Sequence, residues 1–317
     1  MINTGIIFAL LTTLFWSIGI FPFTQAARRL GTNPMNHFRL LLATIVIGTF
    51  SYLVEGRNFT ILFSSQYYNS WFWLGLSGVI GLAIGDYFAF AMFSILGARI
   101  GSVLTTIAPA AALILGALII NEHISYIGII GIVITITGVN FISFGKSERN
   151  KIPDHGHGSI AFGIFAGIIG ALCQGAGLVL AKKGMLSQPV SFPLIPLNAT
   201  FIRLSSATVS ILLFSIITGR IKTMIIPIIT NKNKGIKYAL AGAFFGPILG
   251  VTLALYAVSL IDASVAQTIF SLVPAFAFII SALIFKEKIT KTSLSGLVVA
   301  IFGVIVLIWR ERISELI

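Results

Sequence analysis

Apolar stretches of roughly membrane length follow one another along almost the whole chain, from Gly5 to Trp309, with short polar segments between them. An α-helix needs about 20 apolar residues to cross the roughly 30 Å hydrocarbon core of a bilayer. The pattern predicts ten such helices, at residues 5–26, 34–54, 71–95, 98–120, 124–145, 158–181, 193–218, 237–260, 263–285 and 290–310. The sequence therefore predicts an all-α integral membrane protein with ten transmembrane helices.

The sequence also repeats itself. Arg39 in the second predicted helix matches Arg203 in the seventh at an offset of 164 positions. Other matches occur at an offset of 165, and they pair Gly85 with Gly250, Pro109 with Pro274, Glu122 with Glu287 and Gly138 with Gly303. Self-similarity of this length indicates an internal duplication.

The duplication defines the predicted domains. We predict a first five-helix repeat at 1–145, a charged linker at 146–157, a second five-helix repeat at 158–312 and a tail at 313–317. Because five helices cross the membrane an odd number of times, the second repeat must start from the opposite side. The two repeats are therefore expected to have inverted topology.

Composition agrees with a membrane protein. Only 9% of the residues are charged and 57% are hydrophobic, whereas roughly a quarter are charged in a soluble domain. The net charge is +12, but most basic residues lie in short loops, so we predict a lipid bilayer and no nucleic acid as partner. Cys173 is the only cysteine. It excludes an intrachain disulfide and a cysteine-based zinc site, and we predict no metal and no cofactor.

Basic loop residues are concentrated on one predicted face of the membrane, and they include Arg28, Arg29, Lys146, Arg149, Lys151, Arg220 and Lys222. The positive-inside rule assigns that face to the cytoplasm. We therefore predict external termini and a bacterial inner membrane as the location. Four basic residues fall on the predicted outer face and count against this orientation: Lys182, Lys183, Arg310 and Arg312.

Each repeat has a proline in its fourth predicted helix, a glutamate that closes that helix, and a glycine-rich fifth helix. In this the chain resembles the EamA-type transporters of the drug/metabolite transporter superfamily, over nearly its whole length. The resemblance implies a central cavity lined by predicted helices one, three, four, six, eight and nine, with the fifth and tenth more peripheral. It also implies transport of a small molecule, but family members carry amino acids, nucleobases, sugars and other metabolites, so the substrate stays open.

The predicted function is a secondary transporter that exports small metabolites, amino-acid-like or other organic solutes, by alternating access. A lipid-linked precursor translocator is the first alternative. An intramembrane enzyme is the second, but the sequence lacks the clustered nucleophiles, acids or metal ligands that catalysis needs, so we do not expect an enzyme. Whether the chain forms a homodimer is left open.

Asp86 is the acidic residue predicted to lie deepest in a helix, roughly 22 Å along the axis from Trp71 at 1.5 Å per residue. A carboxyl group there costs about 2.5 to 3.5 kcal/mol to insert and usually faces a cavity or a partner. We predict that Asp86 takes up and releases a proton during transport. The alternative is a structural Asp that hydrogen-bonds a neighbouring helix.

Further candidates are arginines and neutral polar side chains. Arg39 and Arg203 are expected near opposite mouths, where they would attract carboxylates or phosphates. Alternatively, both extend to the interface or hold a helix end in place. The candidate substrate-binding set in the cavity-lining helices is Trp16, Tyr87, Gln174, Tyr256, Gln267 and Ser271. Each of these could instead hydrogen-bond between helices. Pro109, Pro247 and Pro274 are expected to bend or break their helices.

Overall fold

The computed structural model describes residues 2–143, 159–187, 194–231, 234–285, 291–310 and 313–314. Within these ranges the chain is helical, with short turns and no β-strand. The predicted linker at 146–157 lies wholly outside the described residues, and Glu287 and Arg312 lie outside them as well.

The helices of the first repeat are α1 (Ile2–Leu30), α2 (Thr32–Glu55), α3 (Tyr68–Ser77), α4 (Asp86–Thr105), α5 (Ile107–Ile120) and α6 (Tyr126–Ser143). Those of the second are α7 (Ile160–Leu186), α8 (Pro196–Ile217), α9 (Ile221–Thr230), α10 (Ile236–Ala243), α11 (Thr252–Val258), α12 (Ala263–Phe270), α13 (Val273–Phe285) and α14 (Lys291–Ile308). A π-helical segment joins α3 to α4 (Gly78–Gly85), and another joins α10 to α11 (Phe244–Val251).

Among the described residues, seven helical stretches are long and apolar enough to cross a membrane, and four shorter apolar helices accompany them. The chain is therefore an integral membrane protein. Ten spans stay a prediction, because the fourth, fifth and tenth predicted helices are represented among the described residues only by the shorter apolar helices Ile107–Ile120, Tyr126–Phe141 and Leu294–Ile308. The short helix α9, and a 3₁₀ segment at Gly56–Phe63, form where the sequence pattern predicted loops.

Two prolines explain where helices break. Pro109 has no N–H for the carbonyl of Thr105, four residues earlier, and α4 ends at Thr105. Pro274 stands in the same relation to Phe270, the last residue of α12. The two breaks are related by the repeat offset, and they confirm that these prolines interrupt their helices. Pro247 lies in the second π-helical segment.

One predicted boundary is wrong. The turn expected at residues 96–97, between the third and fourth predicted helices, is absent because α4 continues through it to Thr105. No proline lies between Asp86 and Thr105, so every backbone N–H there is available to continue the helix. In the second repeat the equivalent turn does form, between α11 and α12.

The two repeats are interleaved. α1 of the first repeat packs against α10, α11, α12 and α13 of the second. Reciprocally, α7 of the second repeat packs against α3, α4 and α5 of the first. α2 packs on α8 and α6 on α14, which are equivalent helices. Each repeat therefore completes its core with the first helix of the other.

Glycines bring the backbones of α6 and α14 together. A Cβ atom added at Gly138 would lie 2.7 Å from the Cα of Ala300, and one at Gly131 would lie 2.9 Å from the Cα of Leu307. A Cβ at Gly303 would lie 2.5 Å from Thr135 Oγ1. Glycine is required at such positions because any side chain would overlap the opposite helix. This helix pair fastens the fifth and tenth predicted helices to each other.

Candidate functional site

Arg39 and Asp86 form a buried ion pair. Asp86 is the first residue after the π-helical segment Gly78–Gly85, and its Oδ2 accepts a hydrogen bond from Arg39 Nη2. The side chains are 7% and 13% exposed. Arg39 Nε donates to Asn36 Oδ1 at 2.7 Å, and its guanidinium lies 5.0 Å from the ring centroid of Phe90. Arg39 is thus packed against protein, and the structure gives Asp86 the partner that sequence could not identify.

Arg203 occupies the matching position in α8, but its surroundings differ. It is 5% exposed, and its Nε has no hydrogen-bond partner among the described residues. A Cβ added at Gly81 would lie 2.8 Å from Arg203 Nη2, and one at Gly177 would lie 3.3 Å away. The guanidinium therefore lies where the π-helical segment of the first repeat meets α7 of the second. The expected location of the two arginines near opposite mouths stays a prediction.

Several neutral candidates lie around the break between α12 and α13. The Trp16 ring packs edge-on against Phe270, with centroids 5.1 Å apart. Gln267 and Ser271 lie one turn before and one residue after Phe270, and both are buried. The Ser271 hydroxyl donates to the Thr268 carbonyl at 2.6 Å. The structure thus groups Trp16, Gln267 and Ser271 at one place.

The other three candidates are not joined to this group by a described contact. Tyr256 packs on Phe8 of α1, with ring centroids 5.4 Å apart. Tyr87 is 48% exposed, and its ring contacts Phe88. Gln174 is half-buried in α7. Their role in binding substrate stays a prediction.

Two hydroxyl groups of α1 contact the break before Pro274. Thr13 Oγ1 lies 3.1 Å from the Ile269 carbonyl oxygen, and Ser17 Oγ lies 3.0 Å from that of Val273. Each hydroxyl also contacts a carbonyl four residues earlier in α1. The Ile269 carbonyl also accepts the Leu272 N–H at 3.0 Å, so the Thr13 hydroxyl adds to a backbone bond. Side-chain hydroxyls of a neighbouring helix commonly support backbone groups near a helix break in a bilayer. Sequence reasoning did not identify Thr13 or Ser17.

Four charged residues form a cluster that sequence reasoning also missed. Lys182 Nζ lies 2.5 Å from Glu122 Oε1 and 3.9 Å from Asp262 Oδ1, and Arg310 Nη2 lies 3.1 Å from Asp262 Oδ2. The backbone N–H of Ala263, at the start of α12, donates to the Glu122 carboxylate at 2.9 and 3.0 Å. The predicted topology places all four of these residues on the same outer face of the membrane, and this could have indicated that they form a charge cluster.

The cluster changes the interpretation of two exceptions to the positive-inside pattern. Lys182 and Arg310 were counted against the predicted orientation, but each is paired with a carboxylate. Two acids and two bases make the cluster formally neutral. The Glu122 carboxylate also accepts a hydrogen bond at the N-terminus of α12, a helix of the other repeat, whereas α6 is the helix that follows Glu122 in sequence.

Open space in the structure lies beside this cluster. A cavity of about 140 Å³ is lined in part by Lys182, Leu194 and Ser259. A more open one of about 410 Å³ is bordered by Glu122 and His123. The central cavity implied by the family resemblance stays a prediction. Among the described residues no group of three or more His, Cys, Asp or Glu side chains could hold a metal ion.

The chain is similar to known proteins in its fold and in its sequence pattern. No curated protein sequence matches the chain. One protein of known crystal structure has a similar fold over 99% of both chains, with a TM-score of 0.69 and 11% sequence identity. At this identity the similarity shows the fold alone. The sequence pattern of the EamA-like transporter family matches residues 3–144 and again residues 161–309. These two matches cover both repeats and omit the linker, and the chain therefore belongs to the EamA-like transporter family.

Proposed function

We propose that this protein is a secondary transporter that exports a small metabolite by alternating access of the two repeats. The interleaved packing is the observation that carries the proposal, because α1 and α7 each bridge the repeats. A rotation of one repeat against the other would change the packing of both helices together. A site between the repeats would then open to one side of the membrane as it closes to the other.

The broken helices suggest where this motion is absorbed. The breaks before Pro109 and Pro274 occur at matching positions, and each separates two helices that can reorient without disrupting a continuous hydrogen-bond ladder. The four-residue charge cluster joins α5, α7, α12 and the end of α14, so it fastens the repeats at one face. In the proposed cycle these ion pairs separate when that face opens.

We propose that the face with the charge cluster is external, that both termini are external, and that the protein resides in a bacterial inner membrane. The pairing of Lys182 and Arg310 supports this orientation, because a neutral cluster exerts little orienting effect. Single cysteines at Ser314 or Asn150, in a Cys173→Ser background, test it with a membrane-impermeant thiol reagent. In intact cells Ser314→Cys is expected to react and Asn150→Cys to stay protected. The reverse pattern would invert the orientation.

The transport proposal is tested with purified protein in liposomes. Vesicles loaded with a panel of labelled amino acids, sugars, nucleobases and organic acids are diluted, and efflux is compared with that from protein-free vesicles. Efflux above the control for at least one class is expected. Efflux of none, together with movement of fluorescent lipids between leaflets, would instead favour the lipid-linked precursor translocator.

A further inference from the structure

We infer that the transported molecule carries an anionic group, a carboxylate or a phosphate, and that Arg203 binds it. The inference rests on the proposed transport function and names the substrate class. It comes from comparing Arg203 with Arg39, because the duplication provides two arginines at matching positions with different surroundings.

The two polar partners of Arg39 have no functional equivalents in the second repeat. Asn36, which accepts from Arg39, corresponds at the same offset to Thr200, whose hydroxyl donates to the Pro196 carbonyl at 2.8 Å. Asp86, which neutralises Arg39, corresponds at the offset of the adjacent Gly85 and Gly250 to Val251. Valine offers neither charge nor hydrogen bond. The second repeat has kept the arginine and lost the groups that would satisfy it.

Charge balance in the interior points the same way. Asp86 is the acid that acts electrostatically on Arg203, but it is already paired with Arg39. Two guanidinium groups therefore share one carboxylate. A buried cation without a paired anion is costly unless a counter-charge arrives from elsewhere, and arginine binds carboxylates and phosphates through two parallel hydrogen bonds. A substrate anion would supply the missing charge.

The position of Arg203 suits a substrate held between the repeats. Its Nη2 packs beside Gly81 of the first repeat and Gly177 of the second, where even a methyl group would crowd it. The Ser77 hydroxyl, one turn before Gly81, donates to the Gly177 carbonyl at 2.5 Å. An anion that reached Arg203 would thus lie at a crossing of helices from both repeats. Its binding would be sensitive to their relative movement.

The experiment measures counterflow in proteoliposomes with matched pairs of solutes, in which each carboxylate or phosphate compound is compared with its neutral amide, ester or unphosphorylated form. Arg203→Gln removes the charge, and Arg203→Lys keeps it. Val251→Asp places a carboxylate at the position that matches Asp86, so that it competes with the substrate, and Val251→Asn is its uncharged control. Thermal melting and size-exclusion profiles in detergent verify folding of each variant.

We expect the wild type to transport at least one anionic solute and not its neutral counterpart. Because hydrogen bonds to charged groups are the strong ones, Arg203→Gln should reduce its apparent affinity about 10- to 100-fold, and Arg203→Lys should reduce it less. Val251→Asp should reduce it strongly, whereas Val251→Asn should stay near the wild type. This last comparison remains informative if the Arg203 variants do not fold.

The contrary outcomes are distinct. A wild type that transports only neutral or cationic solutes would overturn the inference and leave the transport function intact, as would unchanged anion affinity in both folded Arg203→Gln and Val251→Asp. Leaflet exchange of fluorescent anionic phospholipids that depends on Arg203, without solute counterflow, would support an anion site and overturn the metabolite-transport proposal. No movement of any solute or lipid would overturn both.

Discussion

Removing the negative charge of Glu122 should measurably loosen the face of the molecule that carries the charge cluster. The Glu122 side chain is 8% exposed, and that of its partner Lys182 is 14% exposed, so solvent screens the pair only weakly. Glutamine at position 122 could still accept the Ala263 N–H, but it would lose the ion pair. Lys182 would retain only Asp262, at 3.9 Å, as an acidic partner.

Hydrogen bonds to charged groups contribute about 1.5 to 3 kcal/mol each. A change of 1 kcal/mol shifts Tm by about 2 °C in chains of roughly 250 residues. Glu122→Gln should therefore lower Tm by about 3 to 6 °C. Lys182→Met should lower it at least as much, because Lys182 Nζ also donates to the Ile261 carbonyl at 2.8 Å.

The decisive measurement is a double-mutant cycle. Unfolding of each purified variant in detergent is monitored by tryptophan fluorescence during heating. Glu122→Gln combined with Lys182→Met restores neutrality at the cluster, so the loss should be smaller than the sum of the single losses by about 1 to 3 kcal/mol. Lys183→Met, at the next position in α7, is the matched control and should change Tm little. Additive losses in the double variant, or an equal loss in Lys183→Met, would refute the reasoning.

Three further predictions concern the interior. Asp86→Asn should leave the protein folded but abolish or uncouple proton-driven transport, measured as solute flux with and without a pH gradient. If the variant depends on the gradient as the wild type does, the role of Asp86 is structural. Gly303→Ala should lower Tm by several degrees, because its Cβ would lie 2.5 Å from Thr135 Oγ1, whereas Gly19→Ala, with its nearest atom at 3.5 Å, should be tolerated. Equal melting of these two glycine variants would contradict the packing argument. Ser17→Ala should cost about 0.5 to 1.5 kcal/mol by removing its contact with Val273, and an unchanged Tm would show that this contact does not stabilise the fold.

The sequence predicted the features that depend on local order. The repeat offset, the helical class and the breaks at Pro109 and Pro274 follow from composition and from the missing proline N–H. The turn expected at residues 96–97, which was derived from the pattern of apolar stretches, was wrong because backbone pairing in α4 continues to Thr105. A repeat predicts equivalent positions, but each copy can still close or continue a helix on its own.

Side-chain partners could not be predicted because they depend on which way each helix face points. Asp86 was identified as a buried acid, but its pairing with Arg39 required the rotation of α2 relative to α4. The contact of Glu122 with Ala263 joins residues 141 positions apart in different repeats. The sequence does match Asp86 of the first repeat with Val251 of the second, but the consequence for Arg203 became clear only once the Arg39–Asp86 pair was known.

The contacts of α1 have a consequence for how the chain is made. Thr13 contacts the carbonyl of a residue 256 positions later, and at about 5 to 20 residues per second the ribosome needs roughly 13 to 50 s to reach it. During that interval α1 must remain in lipid without its final neighbours. The hydroxyls of Thr13 and Ser17 also contact carbonyls within α1 itself, at 2.9 and 2.6 Å. Bonds within their own helix therefore keep these groups satisfied while the second repeat is still being synthesised.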